Sequence, residues 1–253
     1  MGKLELKNLS MSFEKKPVLR DLNMTVQEGE FVSILGPSGS GKSTIFHLIG
    51  GMLKPDAGNI MQNGKDITGQ KGHISYMPQA PSLFPWRTVL ENVLITQEIN
   101  GKKDKALALD MLKKAGLSSY ANATPAELSG GMKQRVSFVR ALMSPMPLLL
   151  LDEPFGALDE LTRLEMQKWL LSLWSMDKRT VLFITHNIDE ALYLSDRIYI
   201  LPSNPNDKLM EATVPFPRPR ADDLWLNQEF LEWKKDIYYK LKPSEVKQIE
   251  QNN

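Results

Sequence analysis

Hydrophobic residues alternate with polar ones near the start of the chain and then gather into short continuous runs. Leu4 to Leu9 and Val18 to Val26 have a period of about two, which is typical of strands with one buried face. Phe31 to Leu35, Pro147 to Leu151 and Thr180 to Thr185 are continuous apolar runs suited to strands buried on both faces. The pattern predicts an α/β fold with a largely parallel core sheet and an N-terminal antiparallel β region.

The period changes from two to about 3.6 between Pro85 and Leu142. One amphipathic helix in this stretch ends at Gly116, and its apolar face consists of Ala108, Met111, Leu112 and Ala115. We therefore predict a helical subdomain at about residues 85–142, inserted into an α/β domain of residues 1–220.

Several shorter elements follow from turn residues and local periodicity. Lys42 opens a helical pattern whose apolar positions are Ile45, Leu48, Ile49 and Met52. The others are a turn at Ser10 to Ser12 that ends at Phe13, a hairpin turn at Asn63 and Gly64, a helix at Ile188 to Leu194 and a strand at Arg197 to Leu201.

The composition changes after Leu201. Several prolines predict irregular structure there, and Pro217 to Arg220 is interpreted as an extended basic segment. A terminal amphipathic helix is predicted in the extension 221–253, with its apolar face formed by Leu226, Phe230, Trp233, Ile237 and Leu241. This helix either packs on its own domain or binds a partner, and residues 244–253 are expected to fray.

The overall composition limits the chemistry that the chain can perform. It has 253 residues, a formal net charge of +1, no cysteine and three histidines, so disulfides, thiolate nucleophiles and zinc-thiolate sites are excluded. The near-zero charge does not indicate nucleic acid as a partner. No apolar run approaches the roughly 20 residues that a membrane span needs, and no signal-peptide core is found. We expect a soluble chain that is able to dock on a membrane protein.

A phosphate-binding loop connects the third predicted strand to the first helix. Gly36, four further residues and then Gly41, Lys42 and Ser43 match the required spacing. The whole loop consists of Gly36, Pro37, Ser38, Gly39, Ser40, Gly41, Lys42, Ser43 and Thr44. Its glycines let backbone N–H groups converge on an anion, and the following helix adds its positive end. Lys42 is predicted to bind the β and γ phosphates of a nucleotide, and the Ser43 hydroxyl to bind Mg2+. We predict the fold of a P-loop NTPase.

A second anion site is predicted where another helix begins. Ser129, Gly130 and Gly131 offer a hydroxyl and free N–H groups without bulky side chains. Two anion sites in one chain need an explanation that these residues alone do not give.

Two carboxylates follow the apolar run that ends at Leu151. Asp152 is positioned to hold Mg2+ through its water shell. Glu153 points elsewhere and is positioned to polarise a water that attacks the γ phosphate. A solvated pair at a strand end is the alternative.

Three further side chains are candidates for the same site. Gln79 ends a strand-like segment and offers its amide oxygen to Mg2+ or to the attacking water, although a lone glutamine is usually solvated. His186 follows Thr180 to Thr185 and is either structural or close to the γ phosphate. Phe13 is positioned to stack on an adenine ring, or it faces the core.

Six features taken in order resemble the ATPase subunit of an ATP-binding cassette (ABC) transporter over about residues 3–220. They are Gly36 to Thr44, Gln79, Leu128 to Gln134, Leu148 to Glu153, Gly156 to Asp159 and His186. The stretch Leu128 to Gln134 is more specific than the phosphate loop. Residues 54–71 have no evident counterpart, but they lie in a variable hairpin region.

The resemblance implies a role for each candidate residue. In that family two ATPase subunits pair head to tail, and Ser129, Gly130 and Gly131 of one copy would act on the ATP that the other copy holds. Phe13 would stack on adenine, Glu153 would be the catalytic base, and Asp159 would be a carboxylate that crosses the interface. His186 would sense the γ phosphate, and Gln79 would link the nucleotide to the membrane subunit.

The resemblance further implies a peripheral ATPase at the cytoplasmic face of a bacterial membrane, with permease subunits and, indirectly, a solute-binding protein as partners. Leu83 to Trp86, Asp152 to Arg163 and Pro217 to Arg220 are similar to the nitrate, sulfonate and taurine importer group. Phe84, Pro85 and Trp86 would help to form the groove for a permease helix, or they belong to the core.

Two alternatives remain at this point. The solute is either a small anion or another small molecule such as a thiamine-precursor pyrimidine. The chain could instead be a soluble cassette ATPase that acts on nucleic acid or the ribosome. A kinase or GTPase does not explain Leu128 to Gln134.

Overall fold

A computed structural model describes residues 2–101 and 103–242 of the chain. The predicted frayed tail at 244–253 lies outside these residues. The chain forms two compact units: residues up to Lys71 join those from Thr180 onward, and Gly72 to Arg179 form the other. We call them the first and second units and describe each by itself.

The first unit contains the predicted N-terminal antiparallel sheet. Its strands are β1 (Leu4–Phe13), β2 (Lys16–Val26), β4 (Ala57–Gln62) and β5 (Lys65–Asp66), in the order β2-β1-β4-β5. The hairpin turn at Asn63 and Gly64 is confirmed, with φ of 51° and 77°.

The prediction of a turn at Ser10 to Ser12 is wrong. Strand β1 continues through these residues because Leu9 and Met11 keep the alternating buried pattern and Met11 pairs with Leu19. The chain instead reverses at Glu14 and Lys15, which both adopt positive φ.

A second sheet of the first unit positions the phosphate loop. Strand β3 (Phe31–Leu35) pairs in parallel with both β8 (Thr180–Thr185) and β9 (Arg197–Ile200). The bounds predicted for β8 are confirmed, and all residues of β3 and β8 are buried, as expected for strands covered on both faces.

The sequence prediction missed one strand of this sheet. Strand β10 (Met210–Thr213) pairs antiparallel with β9 in the stretch where prolines predict irregular structure. The strand is short, and its only apolar anchor with a buried side chain is Ala212, so period-two alternation is too weak there to be recognised.

Within residues 2–71 and 180–242, the first unit has three α-helices: α1 (Lys42–Ile49), α6 (Ile188–Leu194) and α7 (Gln228–Leu241). The bounds predicted for α6 are confirmed. Met52 lies beyond the end of α1. The chain turns at Gly51, which has φ of 67° and packs so closely on the backbone of Gln70 that a Cβ would overlap it. Leu226 also lies outside its predicted helix face and is exposed in a short turn before α7.

Helix α7 packs on its own unit through two apolar side chains. Phe230 and Ile237 are buried, and the Phe230 ring lies 5.5 Å from that of Phe216, centroid to centroid. Of the two predicted alternatives, packing on its own domain is therefore confirmed for the buried face of α7.

The second unit contains parallel strands β6 (Ser75–Met77) and β7 (Leu148–Asp152). Its helices are α2 (Val89–Ile99), α3 (Lys105–Lys114), α4 (Gly130–Leu142) and α5 (Glu160–Asp177). The apolar face predicted for α3 is buried, because Ala108, Met111 and Leu112 are each less than a tenth exposed. The predicted α/β class is confirmed, since parallel pairs prevail among the core strands and antiparallel pairs form the N-terminal sheet. Among the described residues, no helix is both long and apolar enough to cross a membrane.

The core of the second unit gives the first testable prediction. Replacing Leu150 by alanine removes a fully buried side chain of β7. The free energy of unfolding should fall by about 2–5 kcal/mol, as measured by urea titration. The matched control is Leu161→Ala on α5, where the side chain is 75% exposed and the change should stay within about 0.5 kcal/mol. Equal losses in the two variants would contradict the assignment of Leu150 to the core.

Candidate nucleotide-hydrolysis site

Glycine is required in the phosphate loop for steric reasons at Gly36 and for backbone conformation at Gly39 and Gly41. A Cβ on Gly36 would lie 2.9 Å from the carbonyl oxygen of Leu201. One on Gly41 would lie 2.9 Å from Cδ2 of Leu19, and Gly41 also has φ of 95°. Gly39 has φ of 79° with open space around it, so it is needed for its backbone conformation. The loop thus keeps its backbone exposed to a ligand, as a phosphate cradle must.

Lys42 is buried at the start of α1 with its amine turned into the loop. Its Nζ donates hydrogen bonds to the carbonyl oxygens of Gly36 at 2.8 Å and Pro37 at 2.7 Å. Ser40 packs in the same loop, and its buried Oγ has no hydrogen-bond partner among the described residues. A cation and an unsatisfied hydroxyl inside one glycine-rich loop fit a phosphate ligand.

Helix α1 differs from the other α-helices in its N-cap. Gly41 provides no side-chain hydrogen bond to the first turn. The six other α-helices in the described ranges each begin behind a capping side chain: Thr88, Asp104, Ser129, Asp159, Asn187 and Asn227. The N-terminus of α1, which carries the positive end of the helix dipole, is therefore available to an anionic ligand, because no side chain caps it.

Substitution of Gly41 tests this geometry. Gly41→Ala adds a Cβ that contacts Leu19 and forces a side chain into the left-handed region, so we expect a loss of about 1–3 kcal/mol in unfolding free energy and weaker ATP binding. Gly64→Ala is the matched control, since φ is 77° there but nothing lies within 4 Å of the new Cβ. Urea titration and a fluorescent ATP analogue measure the two effects. A control that loses as much ATP affinity as Gly41→Ala would contradict the prediction.

Phe13 and His186 are both exposed in the first unit. Phe13 ends β1 with 43% of its surface exposed, which does not agree with the alternative that it faces the core. His186 follows the last residue of β8, and its side chain is exposed. Thr185 and Asn187 fix the backbone around it, because the Thr185 hydroxyl accepts a hydrogen bond from Asn187 N at 3.0 Å.

The two predicted carboxylates lie at the end of β7 in the second unit. Asp152 is 3% exposed, and the Tyr76 hydroxyl donates to its Oδ2 at 3.5 Å. Burial of the phenol, and after it the charge of Asp152, raises the pKa of Tyr76 well above its ordinary value. Tyr76 therefore stays a hydrogen-bond donor toward Asp152 at neutral pH.

The structure brings Glu153 and Gln79 together. Gln79 Nε2 donates to Glu153 Oε2 at 3.0 Å, so the candidate base and the candidate amide are direct neighbours. Glu153 has φ of 46°, which turns it away from the line of β7. Gln134, the last residue of the stretch Leu128 to Gln134, donates from Nε2 to the carbonyl oxygen of Glu153 at 3.4 Å, a contact that the sequence analysis did not predict. Its burial on α4 gives no signal in the sequence.

The residues predicted to form a second anion site lie at the start of α4. Ser129 caps the helix, and its Oγ accepts from Met132 N at 3.3 Å. A Cβ on Gly131 would be 3.4 Å from the carbonyl oxygen of Ala157, whereas Gly130 faces open space. The glycine pair therefore keeps a backbone surface accessible next to Ser129.

Asp159 caps α5 a few residues beyond this contact. It accepts from Thr162 N at 3.0 Å, and this backbone hydrogen bond is the main reason that the pKa of Asp159 lies below its ordinary value. Arg163 ends the stretch Asp152 to Arg163 noted in the sequence, and it donates to the carbonyl oxygen of Leu158 at 3.0 Å, a contact that was not predicted and that fixes the turn before Asp159.

The predicted Mg2+ ligands have the right chemistry for that ion. Ser43, Gln79 and Asp152 offer hydroxyl, amide and carboxylate oxygens. Within residues 2–101 and 103–242, no three histidine, aspartate or glutamate side chains are grouped so that they could hold a metal ion alone. Mg2+ is usually bound by one or two carboxylates together with phosphate and water, so the donors present fit this ion.

A glycine-rich phosphate loop, a buried lysine and a strand that ends in two carboxylates define a P-loop nucleotide hydrolase. The family model described as "ABC transporter" matches residues 19–156. The chain therefore belongs to the ABC transporter family, and it is an ATP-hydrolysing subunit of such a transporter.

Three relatives illustrate the similarity. A formylaminopyrimidine import ATP-binding protein, ThiZ, of Halalkalibacterium halodurans is 46% identical over 202 residues, which cover 79% of each chain. A bicarbonate transport ATP-binding protein, CmpD, of Synechocystis is 44% identical over 213 residues, or 81% of this chain and 75% of CmpD. An aliphatic sulfonates import ATP-binding protein, SsuB, of Zymomonas mobilis is 40% identical over 220 residues, or 87% and 90%.

Solved structures agree with this assignment. The dimeric ATP-binding cassette MJ0796, in a post-hydrolysis state bound to ADP and Pi, has a TM-score of 0.75 and 33% identity, covering 83% of this chain and 98% of the cassette. The ADP conformation of the ABC transporter cassette MJ1267 has a TM-score of 0.71 and 26% identity, covering 92% and 98%.

Proposed function

We propose that this chain works as a head-to-tail pair on a membrane permease and drives the import of a small solute by binding and hydrolysing MgATP. The observation that carries the proposal is the phosphate loop, which combines glycines required by close packing or positive φ, an inward-turned Lys42 and a helix α1 without a side-chain cap. Anionic ligands are the groups that such a loop stabilises.

In this proposal each copy holds one ATP. Gly36 to Thr44 bind the phosphates, Lys42 exchanges its carbonyl partners for the β and γ phosphate oxygens, and Phe13 stacks on the adenine ring. Ser129, Gly130 and Gly131 of the second copy bind the γ phosphate from the other side, and Asp159 contacts the opposite copy. This pairing explains why one chain has two glycine-rich anion sites.

Hydrolysis relies on positioning and charge rather than on a covalent intermediate. Glu153 accepts a proton from the attacking water, and Gln79, which donates to Glu153 Oε2, keeps that carboxylate oriented. His186 contacts the γ phosphate and is released when that phosphate leaves. Ser43, Gln79 and Asp152 would hold Mg2+, which would supply positive charge opposite the β and γ phosphates.

Support for a small solute comes from the relatives named above, which serve formylaminopyrimidine, bicarbonate and sulfonate import. Two of these solutes are small oxygen-rich anions. We favour a small organic or inorganic anion, with a pyrimidine as the second candidate. The permease and a solute-binding protein select the solute, since none of the site residues proposed for this chain contacts the solute.

The role of Asp152 in binding Mg2+ gives a further prediction. Asp152→Asn removes the buried charge at the end of β7. We expect the Mg2+ concentration for half-maximal ATP hydrolysis to rise at least tenfold, because a hydrogen bond or ligand contact to a charged group contributes about 1.5–3 kcal/mol. Titration of the ATPase activity with Mg2+ measures this change. The control is Asp222→Asn, because Asp222 is exposed, and it should keep the native Mg2+ requirement. An unchanged Mg2+ requirement in Asp152→Asn would contradict the assignment.

The import proposal is tested by co-purification. A tagged Glu153→Gln chain is isolated from detergent-solubilised membranes with and without MgATP, and the co-purified proteins are identified by mass spectrometry. A polytopic membrane protein is expected, and the solute-binding protein encoded beside it is then screened with sulfonates, bicarbonate and pyrimidines. Ribosomal or DNA-associated proteins in its place would overturn the import proposal and leave the ATPase assignment intact.

A further inference from the structure

Helix α6 begins directly after His186 and is tied to the strand before it. The Thr185 hydroxyl donates to Glu190 Oε2 at 2.5 Å and accepts from Asn187 N. Asn187 Oδ1 in turn accepts from Asp189 N at 2.8 Å. The backbone on both sides of His186 is therefore fixed to the first turn of α6. Because of these contacts, His186 moves when α6 moves.

Arg220 fastens the far end of α6. It is 9% exposed, and it donates to the carbonyl oxygens of Tyr193 at 3.0 Å and Ser195 at 2.5 Å. These carbonyls lie at the helix C-terminus, where oxygens lack partners within the helix and where positive charge is favourable. Burial lowers the pKa of Arg220 to about 10, which leaves the guanidinium charged at neutral pH.

Arg218 extends this contact to the strand that leads into the phosphate loop. It donates to the carbonyl oxygen of Leu194 and to Asp196 Oδ1, both at 2.6 Å. Asp196 Oδ2 accepts from Phe31 N at 2.9 Å, at the first residue of β3. The basic segment Pro217 to Arg220 thus joins the end of α6 to the start of β3.

Helix α7 contacts the opposite end of α6. Lys234 Nζ lies 2.7 Å from Asp189 Oδ2, in the first turn of α6 and three residues after His186. The other carboxylate oxygen, Asp189 Oδ1, is buried and has no hydrogen-bond partner among the described residues. Phe230 and Ile237 anchor α7 on either side of Lys234, so the amine is held in place by a packed helix.

We propose that the segment from Phe216 to Lys242 braces α6 at both ends and that Lys234 is a positioning residue for His186. The proposal rests on the proposed function of His186 as the group that contacts the γ phosphate. A catalytic geometry has to be held within about 0.5 Å, and Lys234 adds an ion pair to the end of α6 that carries His186. The C-terminal segment therefore contributes to the rate of hydrolysis although none of its residues touches the nucleotide.

The test measures kcat and KM for ATP in matched lysine variants of the full chain. Lys234→Ala should lower kcat by about two- to five-fold with KM unchanged, the range expected for a half-exposed ion pair. Lys234→Arg should restore kcat because it keeps the charge near Asp189. Lys235→Ala, an exposed neighbour on the same helix, is the control and should match the native chain.

A double-mutant cycle with His186→Ala shows through which residue Lys234 acts. If Lys234 works through His186, then Lys234→Ala should have no further effect on single-turnover hydrolysis once His186 is replaced. Equal effects with and without His186, or a native kcat in Lys234→Ala, would overturn the positioning role. A different result is expected if His186 does not contact the γ phosphate as proposed. In that case His186→Ala alone would hydrolyse ATP at the native rate.

Discussion

Glu153→Gln is expected to slow ATP hydrolysis by about 10²- to 10⁴-fold while leaving ATP binding intact. The substitution removes the group that accepts a proton from water but keeps the size and the hydrogen-bonding capacity of the side chain. Gln79 Nε2, now 3.0 Å from Glu153 Oε2, can still donate to the new amide oxygen, so the local structure should persist. Single-turnover hydrolysis and titration with a fluorescent ATP analogue measure the two properties separately.

The control for this variant is Glu165→Gln, an exposed carboxylate on α5 in the same unit. Its turnover should equal that of the native chain. If Glu153→Gln also hydrolysed ATP at the native rate, Glu153 would not be the catalytic base. Loss of binding together with turnover would point to a structural role instead.

Lys42→Ala should lose ATP binding rather than turnover alone. The amine is buried in the loop and makes two hydrogen bonds to loop carbonyls, which it would exchange for phosphate oxygens. Two hydrogen bonds to a charged ligand at about 1.5–3 kcal/mol each correspond to a loss in affinity of at least about 100-fold.

The fluorescent ATP analogue also measures this effect, and Lys65→Ala on strand β5 is the matched control because that lysine is exposed. The control should bind ATP like the native chain. If Lys42→Ala bound ATP with native affinity, the assignment of the phosphate loop to the ATP site would be contradicted.

The extent to which the fold could be predicted varies with the strength of the local pattern. Strand β8 and helix α6 have the predicted bounds because a continuous apolar run is followed by an asparagine cap. Strand β10 was missed, since Ala212 is a weak anchor and prolines surround it. The turn at Glu14 and Lys15 was misplaced because Ser10 and Ser12 resemble turn residues, yet they alternate with the buried Leu9 and Met11.

Site residues carry a sequence signal when their chemistry needs a fixed spacing. Gly36 and Gly41 are five residues apart because one backbone loop must surround an anion, and the sequence alone identifies that spacing. The contact of Gln79 with Glu153 joins residues 74 positions apart, and no local pattern encodes it. The sequence analysis likewise assigned no contacts to Arg218, Arg220 or Lys234, because their partners on α6 and at Asp196 are set by tertiary packing.

We propose that ATP joins two copies of this chain head to tail. Light scattering of Glu153→Gln during size-exclusion chromatography measures it most directly. With MgATP we expect about 57 kDa, twice the chain mass of 28.7 kDa, and with MgADP a single chain. Adding Ser129→Arg to the same variant should restore the single-chain mass in MgATP, since the second anion site then carries a bulky side chain. A single-chain mass for Glu153→Gln in saturating MgATP would contradict the claim.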